Sequence, residues 1–177
     1  MRIISGKWKG KRLIAPKKLP VRPTTDFAKE GLFNILRNRY DLDELTVLDL
    51  FAGTGNISFE FGSRGIPQIT AVDAHAGCVG FISKTAEALE LPIDTVRSDV
   101  FTYLEKTSKQ FDLIFADPPY AMEVEAFERM VYLVMDGDRL LEEGVLIIEH
   151  QKHTDLSHID GYSESRKYGG SVFSFFE

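Results

Sequence analysis

Cysteine is nearly absent from this chain: Cys78 is the only one among 177 residues. One thiol excludes a disulfide framework, and with only four scattered histidines no zinc or iron–sulfur cluster, and no metal of any kind, is expected. Long uncharged runs are missing too. None approaches the roughly 18 residues of a membrane helix, and the basic start lacks the apolar stretch of about 7 to 15 residues that marks a signal peptide. A soluble cytoplasmic protein with no membrane partner is therefore expected. Acidic residues are absent from positions 1–25, which hold eight basic ones: Arg2, Lys7, Lys9, Lys11, Arg12, Lys17, Lys18 and Arg22. The total charge of −6 argues against a nucleic-acid partner, yet residues 26–177 carry 13 basic against 27 acidic side chains, a net of −14. A basic arm (1–25) leads an acidic body (26–177), and that asymmetry is a usable signal where the total is not.

What is present reads as one body. Hydrophobic residues make up 44% and charged ones 27%, average for a globular domain, and a chain of this length can bury a core. After the arm, Thr24-Thr25-Asp26 supplies capping residues for FAKEGLFNILRNRY, where Ala28, Leu32, Ile35, Leu36 and Tyr40 recur at helical spacing. Short β-like runs then alternate with helical segments. Residues 46–51, 68–73, 93–99, 111–117 and 144–150 read as strands; 56–64, 75–90, 100–107 and 122–135 read as helices, the last with Val124, Phe127, Val131 and Val134 on one face. This alternation predicts an α/β fold with a doubly wound, mostly parallel sheet. The tail differs: YSESRKY and SVFSFFE flank Gly169-Gly170, a two-residue turn suited to an antiparallel hairpin. No repeat or linker points to a second domain.

The residues able to do chemistry gather at strand ends. The first strand runs into Asp49-Leu50-Phe51-Ala52-Gly53-Thr54-Gly55-Asn56, a glycine-rich turn that opens a helix, and open α/β sheets bind ligands at such turns. Two glycines alone also fit an ordinary strand-to-helix connection. Ser58, however, stands where a dinucleotide fingerprint wants a third glycine, and Asp49 suits a ligand bearing a positively charged amine. Asp73 ends the second strand, placed to accept hydrogen bonds from ribose hydroxyls. Asp99-Val100 follows the third, able to meet an adenine edge.

The fourth strand ends in Asp117-Pro118-Pro119-Tyr120. Two prolines lack N–H groups, so this corner offers the Asp117 carboxylate and the Pro118 carbonyl as acceptors with few competing donors. An exocyclic amine is the matching partner: with both hydrogens held, its lone pair can be aimed at a methyl group, while Tyr120 stacks on the extruded base. The bland alternative is a Pro-Pro strand terminator beside a half-buried tyrosine. Cys78 lies in the helix after Asp73, away from the base, and reads as a packed residue rather than a nucleophile. His75 could reach the adenosine pocket, whereas His150, His153 and His158 read as surface or loop residues. The pair Glu149-His150 has no assigned role.

The order DLFAGTG, Asp73, Asp99, DPPY resembles class I S-adenosylmethionine-dependent amino-methyltransferases. Met1-Arg2-Ile3-Ile4-Ser5-Gly6 with Lys9-Gly10, then Val21-Arg22-Pro23-Thr24-Thr25-Asp26, Leu32-Phe33-Asn34-Ile35-Leu36 and Lys167-Tyr168-Gly169 narrow it. Together they resemble the bacterial guanine-N2 methyltransferases of small-subunit ribosomal RNA, the RsmD-like family, over essentially the full length. Phe27, Gly31, Asn56 and Gly170 depart from that family's usual residues.

The resemblance implies a Rossmann-like, seven-stranded methyltransferase domain that takes S-adenosylmethionine across the carboxyl edge of its sheet. Gly53 and Gly55 would lie under the methionine part with Asp49 nearby, Asp73 on the ribose, and Asp99 and Val100 on the adenine, with Phe51 and Asn56 as walls. Asp117 and Pro118 would hold the guanine amine and Tyr120 would stack its ring. The partner implied is 16S ribosomal RNA, in an assembling or assembled small subunit, met by a monomer. Adenine-N6 methylation of RNA or DNA, and a non-catalytic RNA-binding assembly factor on the same fold, remain open. RNA affinity is expected from the arm, where Arg2, Lys7, Lys9, Lys11, Arg12, Lys17, Lys18 and Arg22 neutralise phosphates and Trp8 offers a stacking surface. A solvated charged terminus is the alternative, but Ile3, Ile4, Gly6, Gly10, Leu13 and Ile14 suggest a structured hairpin. Deleting residues 1–18 is expected to weaken RNA binding far more than cofactor binding.

Overall fold

A computed structural model describes all 177 residues. Helix α1 (Asp26–Arg39) begins where the Thr25 hydroxyl accepts the Ala28 N–H at 3.2 Å, and it buries Ala28, Leu32, Phe33 and Leu36 along one face. After a single 3-10 turn at Leu42–Glu44, strands and helices alternate: β1 (Thr46–Leu50), α2 (Asn56–Ser63), β2 (Gln68–Asp73), α3 (Ala76–Ala88), β3 (Ile93–Arg97), α4 (Val100–Lys106), β4 (Phe111–Ala116), α5 (Val124–Met135) and β5 (Leu140–Gln151). The hairpin β6 (Tyr162–Tyr168) and β7 (Ser171–Phe176) ends the chain. One seven-stranded sheet results, in the order β3-β2-β1-β4-β5-β7-β6. Strands β1 to β5 are parallel, and β7 runs antiparallel between β5 and β6. The winding direction reverses between β1 and β4, so their carboxyl ends open a crevice.

Side-chain alternation divides the core. Val47, Leu113, Phe115, Val145, Ile147 and Phe173 pack beneath α1 and α2, whereas Leu48, Ile114, Leu146 and Ile148 pack against α4 and α5. Strand β5 starts earlier than residue 144. Its register against β4 shifts between Phe111 and Leu113, so Leu140 pairs before the bulge and Val145 after it. Glu143 adopts φ 63° there, and a Cβ on Gly144 would meet the Leu141 carbonyl oxygen at 2.8 Å. Glu142-Glu143-Gly144 resembles a turn in sequence, and the bulge is how a strand accommodates it.

The arm is a hairpin, as Gly6 and Gly10 suggest: Arg2 bridges Arg12, and the Ile3 N–H donates to the Lys11 carbonyl at 2.9 Å. Ile3 and Leu13 enter a third apolar cluster with Phe59 of α2 and Ile82 of α3, each worth about 1.5–3 kcal/mol of burial. Its seam with α2 is polar. The Ser63 carbonyl accepts the Lys7 N–H (2.7 Å), and Glu60 accepts the N–H groups of Ile4 and Ser5. Lys29 of α1 is 1% exposed; its ammonium donates to the Arg2 carbonyl (2.6 Å), Asn56 Oδ1 (3.0 Å) and Glu60 Oε2 (3.2 Å). Deleting residues 1–18 would therefore bare apolar core and strip backbone hydrogen-bond partners from the buried Lys29–Glu60 pair, at about 1–3 kcal/mol for each buried group left unsatisfied. Residues 1–18 thus help to hold the fold, so that truncation perturbs stability along with any RNA contact of the arm.

Two of the family departures explain one another. A Cβ on Gly31 would sit 2.2 Å from Tyr168 Cε1, so the missing side chain lets the Tyr168 ring lie against α1. Phe27, one turn earlier, meets the same ring edge-on at 5.7 Å.

Candidate active site

A cavity of about 520 Å³ opens at the carboxyl ends of β1 and β4, within the range of ligand and cofactor pockets. Asp49, Phe51, Gly53, Asn56, Asp73, His75, Asp99, Val100, Asp117, Pro118 and Tyr120 line it, so strand ends expected to act together do converge; Gly55, at the start of α2, lies just behind. Thr24, Arg22, Glu149 and Ser171 line it as well.

At the glycine-turn end the backbone is bent into unusual conformations. Phe51 (φ 57°), Gly53 (φ 58°) and Gly55 (φ 83°) all have positive φ. For phenylalanine this is rare and marks a strained turn, a feature concentrated at binding sites. Asp73 Oδ2 accepts the Gly53 N–H at 2.9 Å and Oδ1 accepts the His75 N–H at 2.8 Å. The carboxylate is thereby fixed with lone pairs to spare for a diol. His75 Nδ1 accepts the N–H groups of Gly77 and Cys78, capping α3; an accepting Nδ1 leaves the ring proton on Nε2. Asp99 caps α4 in the same way, through the Thr102 N–H at 3.0 Å.

Asp49 is 1% exposed, and the Ser58 hydroxyl donates to it at 2.5 Å. Burial pushes its carboxyl up to about 7; the Ser58 bond opposes the rise and Asp73 adds to it. A buried acid with one neutral partner favours a cation arriving beside it. Asn56 also faces the cavity, but its amide is committed to Lys29 and to the Thr24 carbonyl (2.9 Å). It is a wall that ties α2 to α1 rather than a polar ligand.

At the other end, Asp117 and Glu149 follow the last registered pair of β4 and β5, Ala116 and Ile148. In phase with Phe115 and Ile147, both project to the α1 side. Burial raises Asp117 to about 8, Glu149 and Asp49 add to the rise, and Arg22 opposes it. Glu149 is buried; its Oε2 accepts the Thr24 hydroxyl and its Oε1 the Ser171 hydroxyl, both at 2.7 Å. Burial pushes it above the usual carboxylate range, against those two bonds and Arg22. Tyr120 is half exposed with the Arg22 guanidinium 4.9 Å from its ring centre, a face broad enough for a base.

Sequence reasoning left Glu149, Thr24 and Ser171 without a role at this site. The usable signal was an acid continuing the buried alternation Val145, Ile147. His150 is corrected: it is buried, not at the surface. One step out of phase, it packs edge-on against Phe127 at 6.5 Å. Its Nδ1–H donates to the Gln151 carbonyl (2.9 Å) and its Nε2 accepts the Ser174 hydroxyl (2.7 Å). Burial lowers its pKa. His153 and His158 are exposed, and Cys78 is packed inside α3 with its thiol pushed up to about 11 by burial.

In the arm, Lys7, Lys9, Lys11, Arg12, Lys17 and Lys18 are exposed and form no salt bridge, whereas Arg2 pairs with Asp26 at 2.8 Å. Trp8 is half-buried, its indole N–H donating to the Leu89 carbonyl at 3.1 Å, so it anchors the hairpin.

A family model described as conserved hypothetical protein 95 matches residues 1–177. The chain belongs to this family, the RsmD family. Among relatives of this RsmD-family chain, YlbH of Bacillus subtilis is 32% identical over 166 residues, 91% of this chain and 88% of that protein. Ribosomal RNA small subunit methyltransferase D of Escherichia coli K12 is 28% identical over 157 residues, 88% of this chain and 77% of that protein. In structure, the 16S rRNA N2 G1207 methyltransferase of Thermus thermophilus matches with a TM-score of 0.71 at 23% identity, over 90% of this chain and 45% of that one, a likeness of fold. The architecture is that of class I S-adenosylmethionine-dependent methyltransferases.

Proposed function

We propose that this RsmD-family protein transfers a methyl group from S-adenosylmethionine to the exocyclic N2 amine of a guanine in small-subunit ribosomal RNA. The observation that carries this reading is that Asp117, Pro118 and Tyr120 share one cavity with the strained glycine turn and Asp73. On this reading an amine-holding corner faces a nucleoside-holding one. Kinship with a ribosomal RNA small subunit methyltransferase D supports the RNA class.

The residues present fit the cofactor. Asp73 suits the ribose diol, Asp99 and Val100 border the adenine end, and the desolvated Asp49 suits a cationic group. When bound, S-adenosylmethionine supplies an electrophilic methyl carbon on a sulfonium. Asp117 and the Pro118 carbonyl hold the two amine hydrogens and aim the nitrogen lone pair in line with that carbon. An amine that had accepted this methyl group would carry one proton too many. That amine loses its extra proton to Asp117 or to water. Tyr120 stacks on the base and keeps its plane fixed.

The test is incubation with small subunits from a strain lacking the gene, followed by nucleoside analysis. N2-methylguanosine is expected. N6-methyladenosine would replace guanine by adenine, and binding of both ligands without transfer would make the protein a non-catalytic assembly factor.

A further inference from the structure

Resting on the guanine-N2 reading above, we propose that Glu149 is the residue that selects guanine, by accepting the ring N1–H next to the amine held by Asp117. The two carboxylates occupy neighbouring register positions at the ends of β4 and β5 and line the same cavity as Pro118 and Tyr120. A base stacked on Tyr120 with its amine at Asp117 presents one of the two ring positions flanking that amine, N1 or N3, to whatever stands beside that acid, and only N1–H is a donor. Glu149 is what stands there.

Its hydrogen bonds fix what it can offer. The hydroxyls of Thr24 and Ser171 each donate to one of its oxygens, so the group is held in one orientation and each oxygen keeps a lone pair to accept another donor. Beside its amine, guanine presents a second donor, N1–H. In adenine and cytosine the ring nitrogen beside the amine is an acceptor, which would face the buried Glu149 acceptor without a proton between them. A buried polar group left unpaired in this way is what gives hydrogen-bonded sites their large discrimination. Arg22, which lies over the Tyr120 ring, opposes the rise in both carboxyls and so favours their charged, accepting form.

A purine that keeps the N2 amine and loses the N1–H separates this from a supporting role. In 2-aminopurine the ring N1 is an acceptor and the neighbouring O6 carbonyl is gone, while the amine and the N3 beside it are retained, so the Glu149 variant rather than the wild type alone assigns the effect to N1. Small subunits are reconstituted with guanine or 2-aminopurine at the position where the wild-type enzyme leaves its mark. The wild type should prefer guanine by about 100-fold or more in kcat/KM. In Glu149→Gln one hydroxyl bond to the side-chain oxygen survives while the new amide donates to the ring nitrogen. The preference should shrink at least about 10-fold, with guanine slowed and 2-aminopurine gained, and S-adenosylmethionine affinity unchanged. If Glu149→Gln loses both substrates in equal proportion, or leaves the ratio untouched, Glu149 only braces the wall and the proposal is wrong. The reading beneath it fails separately, if the wild-type mark is not N2-methylguanosine.

Discussion

At the glycine-turn end of the cavity the polar contacts are short in sequence: His75 to Asp73 spans 2 residues, Ser58 to Asp49 spans 9 and Gly53 to Asp73 spans 20. At the Asp117 end, Thr24 reaches Glu149 across 125 residues, and Ser171 reaches it from the terminal hairpin. The first end is made by two successive strand-to-helix turns, so it forms wherever this fold forms. The second needs the segment before α1, two strand ends and the antiparallel hairpin to be in place together. On the function proposed above, the locally built turns hold the nucleoside cofactor, and selection of one base draws on the parts of the chain added around them.

Substitutions should separate the two ends. Asp117→Ala should lower the single-turnover methylation rate by about 100- to 1000-fold, the usual cost of removing a group that acts at the transition state, while cofactor affinity measured by calorimetry stays within a few-fold. Equal loss of both would erase the distinction. Gly55→Ala is the reciprocal case. Its Cβ would lie 2.8 Å from Ile82 Cγ1 at φ +83°, a strain of about 1–3 kcal/mol, and it should weaken cofactor binding about 10-fold while RNA binding persists.

A pH titration probes both ends at once. With Asp49 near 7 and Asp117 near 8 in the free protein, both carboxyls are protonated in mild acid. A cationic cofactor beside Asp49 draws that proton off, so S-adenosylmethionine affinity should rise from about pH 6 to pH 8 with measurable proton release, while the methylation rate rises through about pH 8 with Asp117. The folded state binds these protons more tightly than the unfolded chain does. Stability of the free protein should therefore fall as pH climbs from the ordinary carboxyl range near 4 through about 8. Asp49→Asn should flatten the lower part of both curves, leaving a protein more stable at pH 8 that binds the cofactor poorly.

Smaller effects are expected farther out. Thr24→Val removes one hydroxyl from Glu149 and should cost about 1 kcal/mol of stability, with a modest loss of methylation rate and intact cofactor affinity. Lys17→Glu with Lys18→Glu should weaken RNA binding several-fold and reduce its salt dependence. Both positions are exposed and unpaired, so thermal stability should not change.

The locally built end is legible in the amino-acid sequence. A glycine turn after an apolar strand, an acid ending the next strand and DPPY ending the fourth are patterns of consecutive residues, and their placement follows from strand periodicity. The arm is legible only in its charge and its hairpin. Its anchoring is hidden because Lys29 and Glu60 read as ordinary polar positions of two helices; only their packing face to face beneath Arg2, Ile4 and Ser5 makes them a buried knot. His150 misleads for a similar reason. A histidine at a strand end suits a surface until Ser174 and Phe127, brought by other elements, enclose it.

By itself the sequence determined the alternation of strands and helices, the acids at the carboxyl edge and the split between a basic arm and an acidic body. These depend on periodicity, backbone stereochemistry and composition, which act over a few residues or over averages. Only the tertiary structure decided that the arm is part of the core, that Arg22 lies on Tyr120 and that Glu149 joins Asp117. Burying a charge or a carboxyl is tolerated only where partners from distant segments meet it, and no local pattern specifies which segments those are.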